Sequence, residues 1–305
     1  MYSISRLLTV LSAATVGYAH PTVTSRDVPS SQLDDFAFWV QYAAAAYCHD
    51  NYSPPAGTKL SCWAGNCPDV EANGAVTDIE FSNTTLSDTA GFVAVDHSRS
   101  SIVVSFRGSY SVRNWLADAN FPLVDPGLCT GCLAEAGFWS SWAFVKKEIL
   151  QSLKELTGQH ADYRVVVVGH SLGAAVATVA AADLRTQGYE ATLYAYASPR
   201  VGNEKLAEFI TNQKNNYRFT HNNDPVPKLP LLAMGYKHVS PEYWITSGDN
   251  ATVAATDVQV LEGNVNWKGN TGTGLPLLTD FHAHHWYFEK ADGCKGPGLP
   301  LKRSQ

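Results

Sequence analysis

The sequence predicts an α/β protein, a single domain built on a central, mostly parallel sheet flanked by helices. Three observations carry that expectation. Strand-like and helix-like patterns alternate through the middle of the chain, the arrangement that sets parallel strands side by side with helices across their faces. The run Tyr163-Arg164-Val165-Val166-Val167-Val168 is short, continuous and β-branched, as a strand buried on both faces requires. At 305 residues with 45% hydrophobic content, the chain can bury one large core, and no internal repeat divides it.

The first residues stand apart from the fold. Arg6 is followed by the apolar run Leu7 to Val16, and Gly17-Tyr18-Ala19 offers small residues for cleavage, so residues 1–19 read as a secretory signal peptide. The apolar run is far shorter than the roughly 20 residues of a membrane span. Residues 20–26 read as a short propeptide ending at Arg26, which leaves 27–294 for the domain. An amphipathic helix is expected over Gln32 to Tyr47, with Phe36, Trp39, Val40 and Ala43 on one face. Gly91 to Asp96 and Ser101 to Phe106 read as strands joined by His97-Ser98-Arg99-Ser100, an antiparallel hairpin at the front of the sheet. A long helix is expected from Phe138 to Thr157. Leu172 to Gln187, dense in alanine and free of proline, predicts another, with Gly188 at its C-terminal cap. A strand follows at Thr192 to Ala197, stopped by Ser198-Pro199, then a short helix from Asn203 and a strand at Tyr217 to Thr220. Residues 295–305, rich in Gly, Pro, Lys and Arg, read as a mobile tail.

Charge and cysteine content narrow the partners. Acids outnumber bases, for a formal charge of −6, and removing residues 1–26 takes away Arg6 and Arg26 and moves it to −8, so nucleic acid is not an expected partner. Six cysteines in an exported chain predict three disulfides. Cys62 with Cys67 and Cys129 with Cys132 are close enough to staple local loops, leaving Cys48 to join Cys294. Loop-closure entropy gives the long bridge about 5 kcal/mol and each short one about 2, as upper values. Zinc at Cys62, Cys67, Cys129 and Cys132 is disfavoured by irregular spacing and by export. Asn51-Tyr52-Ser53, Asn83-Thr84-Thr85 and Asn250-Ala251-Thr252 are candidate glycosylation acceptors.

The chemistry centres on Gly169-His170-Ser171-Leu172-Gly173, which places a serine hydroxyl between glycines where the valine strand turns into the alanine-rich helix. Strand and helix pass so close at such a turn that flanking side chains would collide, and the helix N-terminus favours developing negative charge at Ser171. A serine nucleophile needs a base, and the base an acid to hold its tautomer; in this α/β-hydrolase-type architecture they follow in the order Ser, Asp or Glu, His. Asp224, just after a predicted strand in a loop stiffened by Pro225 and Pro227, is the candidate acid, ahead of Asp249, Asp257 and Asp280. For the base, Phe281-His282-Ala283-His284-His285 offers three histidines that spacing alone does not separate; His282 and His284 at strand-like spacing also raise a metal site, for which no further ligand lies nearby in sequence. His221 and His238 read as hydrogen-bonded residues near the loops. The backbone N–H of Leu172 and the N–H and O–H of Ser109, at the end of Ser105-Phe106-Arg107-Gly108-Ser109, are candidate oxyanion donors. In the segment that follows, Val112, Trp115, Leu116 and Ala119 fall at helical spacing on one side and Arg113, Asn114 and Asp118 on the other. Beside an oxyanion strand, such a helix suits a lid that turns its apolar face to lipid.

Assembled, these pieces resemble the filamentous-fungal class 3 lipases, the family of the Rhizomucor and Thermomyces lipases and of the related feruloyl esterases. The resemblance spans nearly all of the expected mature chain. It rests on Ser105-Phe106-Arg107-Gly108-Ser109, Asn114-Trp115, the Ser171 pentapeptide, Ser198-Pro199-Arg200-Val201-Gly202-Asn203, Asn223-Asp224-Pro225-Val226-Pro227 and His284-His285-Trp286-Tyr287-Phe288. It implies Ser171 as nucleophile, Asp224 as acid, Ser109 and Leu172 as oxyanion donors, and a lid over Ser109 to Phe121. It also selects His284, since the family's catalytic histidine precedes a Leu-(Trp or Ser)-Tyr-Phe run, although His285 here replaces the leucine. The three disulfide pairs above are similar to the family's. The implied protein is a secreted, monomeric triacylglycerol lipase acting at an oil or membrane surface through an acyl-enzyme, with no metal or organic cofactor. Feruloyl esterase and phospholipase A1 activities are the neighbouring alternatives. A non-catalytic binding protein on the same scaffold would be marked by a missing triad member, and none is missing.

Overall fold

The computed structural model describes residues 28–53, 55–83, 89–110, 112, 120–276 and 281–295. The expected signal peptide, propeptide, most of the lid segment and residues 296–305 lie outside the described residues. Eight strands form one sheet in chain order: β1 (Val76–Asn83), β2 (Thr89–Asp96), β3 (Ser101–Phe106), β4 (Arg164–His170), β5 (Ala191–Tyr196), β6 (Asn216–His221), β7 (Glu242–Ile245) and β8 (Val258–Leu261). From β3 to β7 neighbours run parallel; β1, β2 and β8 are antiparallel to theirs. The central β4 is buried from Val165 onward, as its continuous valines require.

The expected hairpin is thus the inner part of a three-stranded antiparallel edge. β1 escaped the pattern because its register with β2 shifts between Thr77 and Ile79, a bulge that breaks the two-residue alternation. β7 and β8, at four residues each, are too short to show a period.

Helices cover both faces. On one lies α1 (Ser30–Ala45), whose Phe36 meets Tyr194, Phe219 and Tyr243 edge-on while Trp39 stacks on Tyr194. After the short α2 (Pro68–Asn73), the other face receives α3 (Ala136–Gln159), α4 (Leu172–Thr186) and α5 (Glu204–Asn212). Their Val, Ile, Leu and Ala side chains share one core with alternate residues of β3, β4 and β5. The Glu135 carboxylate accepts from Phe138 N–H and Asn203 Oδ1 from Leu206 N–H, which caps α3 and α5. The cysteines pair as Cys48–Cys294, Cys62–Cys67 and Cys129–Cys132, the first joining the end of α1 to the chain's far end.

The acceptor expected at Asn51 is corrected here. Its side chain is fully buried, its Nδ2 donates to the carbonyls of Ala45 and Ser61 at 2.8 Å, and its Oδ1 accepts from Ser61 N–H, so it closes the end of α1 instead of meeting solvent. Asn83 ends β1, with its side chain outside the described set, and Asn250 is exposed.

Candidate active site

The site grows from the carboxyl end of β4. The chain reverses into α4 through Ser171, whose φ of 58° and ψ of −129° are rare for a residue with a side chain. A Cβ at Gly169 would lie 2.7 Å from Ala174 N, and one at Gly173 would lie 2.7 Å from the Arg107 carbonyl carbon, so both positions need glycine. The second contact also sets the Arg107-Gly108-Ser109 loop against the N-terminus of α4. Ser109 is buried in that loop, and Leu172 is the first residue of α4.

Asp224 enters from the loop after β6. Its N–H donates to the His221 carbonyl and its Oδ1 accepts from Val226 N–H, both at 2.9 Å, fixing the carboxylate without help from solvent. The candidate base stands in α6 (His282–His285), a single helical turn. Here a reading of the residues is corrected: helical spacing separates His282 from His284, and it is His282 and His285 that line the same open cavity. His284 is buried on another side. Its Nδ1 lies 3.0 and 3.1 Å from the two Asp224 oxygens, and its Nε2 2.9 Å from Ser171 Oγ. A carboxylate only accepts, so Nδ1 carries the proton and Nε2 is left to accept from the serine hydroxyl.

Two buried groups tune this chain of bonds. Tyr287 donates its hydroxyl to Asp224 Oδ2 at 2.7 Å. Burial alone would raise the Asp224 pKa, but the neighbouring His284, the Tyr287 hydroxyl and the Val226 N–H together outweigh it, and the acid is held below its ordinary range. Beneath the base, Tyr47 donates to His170 Nδ1 and His170 Nε2–H donates to the His284 carbonyl, both at 2.8 Å. Burial pushes His170 down to about 3, so it stays neutral and holds the backbone of α6 as a dipole, not as a charge.

Neither Tyr287 nor Asn270 stands out from residue types alone. Asn270 donates from Nδ2 to the carbonyls of Asn222 and Asp224 and so braces the acid's loop from 46 residues away. His221, at the end of β6 between the Ala283 and Ser247 carbonyls, and His238, on the Pro227 carbonyl, are hydrogen-bonded residues near the loops, as expected. Of the lid residues, Val112 is buried against Val226 and Phe281, while Asn114, Trp115 and Leu116 lie outside the described residues.

A strained serine at a strand-to-helix turn, joined to a histidine and a buried carboxylate, is the geometry of an acyl-transfer hydrolase. Comparison with known proteins gives the lineage. Residues 103–234 match the family described as lipase (class 3), and residues 7–78 match the lipase 3 N-terminal region. A secreted mono- and diacylglycerol lipase A of Penicillium cyclopium is 64% identical over 298 residues, 97% of this chain and 98% of that protein. The chain belongs to the class 3 lipase family. A secreted mono- and diacylglycerol lipase 1 of Fusarium solani is 41% identical, over 92% of this chain and 82% of that one. The crystal structure of a mono- and diacylglycerol lipase from Aspergillus oryzae superposes with a TM-score of 0.86 at 64% identity, covering 87% of this chain and all of that one. This class 3 lipase is therefore a secreted carboxylic ester hydrolase with the α/β-hydrolase fold. Among the described residues, no helix is long and apolar enough to cross a membrane.

Proposed function

We propose that this lipase hydrolyses long-chain acylglycerol esters at a lipid–water interface, with Ser171 as nucleophile, His284 as general base and acid, and Asp224 as the group that orients the imidazole. The observation that carries the reading is the continuous run of hydrogen bonds from Asp224 through His284 to Ser171 at the turn into α4. Ser171 Oγ attacks the ester carbonyl as its proton passes to His284 Nε2. The oxyanion so formed is taken up by the Leu172 N–H together with the N–H and O–H of Ser109, and the α4 N-terminus favours its charge. On collapse, the glycerol oxygen leaves with the proton from His284. Water then attacks the acyl-serine, His284 takes its proton, and the fatty acid departs with Ser171 restored.

The relatives' names favour mono- and diacylglycerols over triacylglycerols as the preferred esters. Rates on a diolein emulsion, a triolein emulsion, phosphatidylcholine and methyl ferulate test that order, with diolein expected first. Ser171→Ala should lower kcat on every one of them by at least about 10⁴-fold. A Ser171→Ala protein that keeps its activity would end the proposal.

A further inference from the structure

The loop that carries Asp224 is held through its carbonyls by buried side chains that lie outside it. Arg200 Nη1 donates to the carbonyls of Lys228 and Pro230, and His238 Nε2–H donates to that of Pro227. Asn270 Nδ2 donates to those of Asn222 and Asp224, at 3.1 and 3.0 Å. Behind these contacts lies one carboxylate. Glu242 opens β7 directly opposite Arg218 of β6 in the parallel register. Its Oε2 lies 3.7 Å from Arg218 Nη2, and both residues are buried. Its Oε1 accepts from the Thr220 hydroxyl at 2.6 Å and from Asn270 N–H at 3.1 Å. A Cβ at Gly269 would lie 2.6 Å from Glu242 Oε2, so glycine lets the turn at Asn270 come down onto the carboxylate. Arg200 grips the next residue of that turn, donating through Nη2 to Thr271 Oγ1.

Net stability is a weak reason for such a pair. Both charges lose their hydration on burial, and apolar side chains of similar volume often serve a core as well. The arrangement also leaves Arg218 Nη1 and Asn270 Oδ1 without a hydrogen-bond partner. Placement is what it does achieve. The path from Arg218 through Glu242 and Asn270 is buried throughout, and it ends on the backbone of Asp224, whose carboxylate lies 3.0 Å from His284 Nδ1. The charge state of Asp224 is set by its burial, His284, Tyr287 and the Val226 N–H, which leaves its position as the property that Glu242 and Asn270 can control.

We propose that Glu242 and Asn270 are positioning residues for Asp224: Glu242, anchored on Arg218, fixes the Asn270 backbone, and the Asn270 amide fixes the Asp224 carbonyl so that the carboxylate meets His284 Nδ1. The proposal rests on the triad reading of Ser171, His284 and Asp224. Its test is a pair of double-mutant cycles on a dissolved ester, p-nitrophenyl butyrate. Asn270→Ala should lower kcat at least about tenfold with KM within about twofold of the parent, the mark of a misplaced catalytic group. Glu242→Gln offers an amide N–H₂ to Arg218 or to the Asn270 N–H, whichever way it turns, and should lower kcat about fivefold. In an Asp224→Asn background neither change should cost more than about a further twofold, because the pair they align is already broken. If Asn270→Ala does not fold, Glu242→Gln carries the same cycle. A second readout is the low-field proton resonance of His284 Nδ1–H, which Asp224→Asn should abolish and each of the other variants should shift upfield. Falls of equal size in both backgrounds, an unmoved resonance, or a raised KM at unchanged kcat would overturn the proposal and leave the triad standing. Full activity in Asp224→Asn alone would overturn the triad reading and this proposal with it.

Discussion

His284 and His285 are neighbours in the chain, and each holds a carboxylate through Nδ1, Asp224 for the first and Asp292 for the second. By distance the second pair is the tighter, 2.7 Å against 3.0 Å. Yet the surroundings differ in every respect that matters to chemistry. His284 is buried and its far nitrogen faces Ser171 Oγ, whereas the His285 ring is 40% exposed beside an open cavity of about 670 Å³ lined by Trp63, Trp286 and charged side chains but by no Ser or Cys. Asp224 has both oxygens bonded, by Val226 N–H and the Tyr287 hydroxyl as well as by the base, while Asp292 leaves Oδ1 without a protein partner. A short imidazole–carboxylate bond is thus not what makes a base. In the proposed mechanism, what does so is a nucleophile at the other nitrogen and an acid whose oxygens are already hydrogen-bonded, so that it serves to orient.

The sharpest way to break this comparison is to disarm the first pair. Asp224→Asn keeps the shape but offers Nδ1 a donor in place of an acceptor, driving the ring proton to Nε2, where it faces the serine hydroxyl. kcat should fall about 10⁴-fold with the fold intact by circular dichroism. A fall of only a few fold would mean that Asp224 does not set the tautomer of His284. Tyr287→Phe is the next largest effect. It removes a hydrogen bond to a charged group, so Asp224 should bind its proton more readily, and since the mechanism needs the carboxylate, the acid limb of the kcat/KM profile should move to higher pH. Turnover at the optimum should drop about tenfold. An unmoved acid limb would show that Tyr287 only fills space.

How much of this was legible in the sequence follows from how local each signal is. The turn that holds Ser171 was readable because strand, glycines and helix adjoin it in the chain. The place of Asp224 just after a strand was readable too. The choice among three histidines was not, because it depends on Phe281 to His285 winding into one helical turn, and strand-like spacing pairs the wrong ones; only the resemblance of the following Trp286-Tyr287-Phe288 separated His284. Asn270 sits in a Gly- and Thr-rich loop whose meaning arises from packing on the Asp224 loop across distant chain, and nothing near it in sequence says so. β1 was hidden by its bulge, and Asn51 carried an acceptor motif whose burial no motif can report.

The smallest expected effect comes from the second pair, and its pH dependence gives the cleaner test. Burial raises the Asp292 pKa, but the His285 hydrogen bond and charge, with His170 and His284 behind, outweigh it and hold the carboxyl at about 2. An unfolded aspartate titrates near 3.9. The folded value is the lower of the two, so the ionised carboxylate stabilises the native state above about pH 4, and that contribution is lost as pH falls from about 4 to about 2. Asp292→Asn removes it at every pH. The melting temperature of the variant should therefore lie below that of the parent at neutral pH, and the gap should close as both are measured towards about pH 2. Hydrolysis of a dissolved ester at neutral pH should stay within about threefold of the parent, since Asp292 reaches the reacting atoms only as a distant charge screened by protein and water. A loss of turnover as large as that of Asp224→Asn, or a melting gap that widens in acid, would make the two pairs equivalent after all.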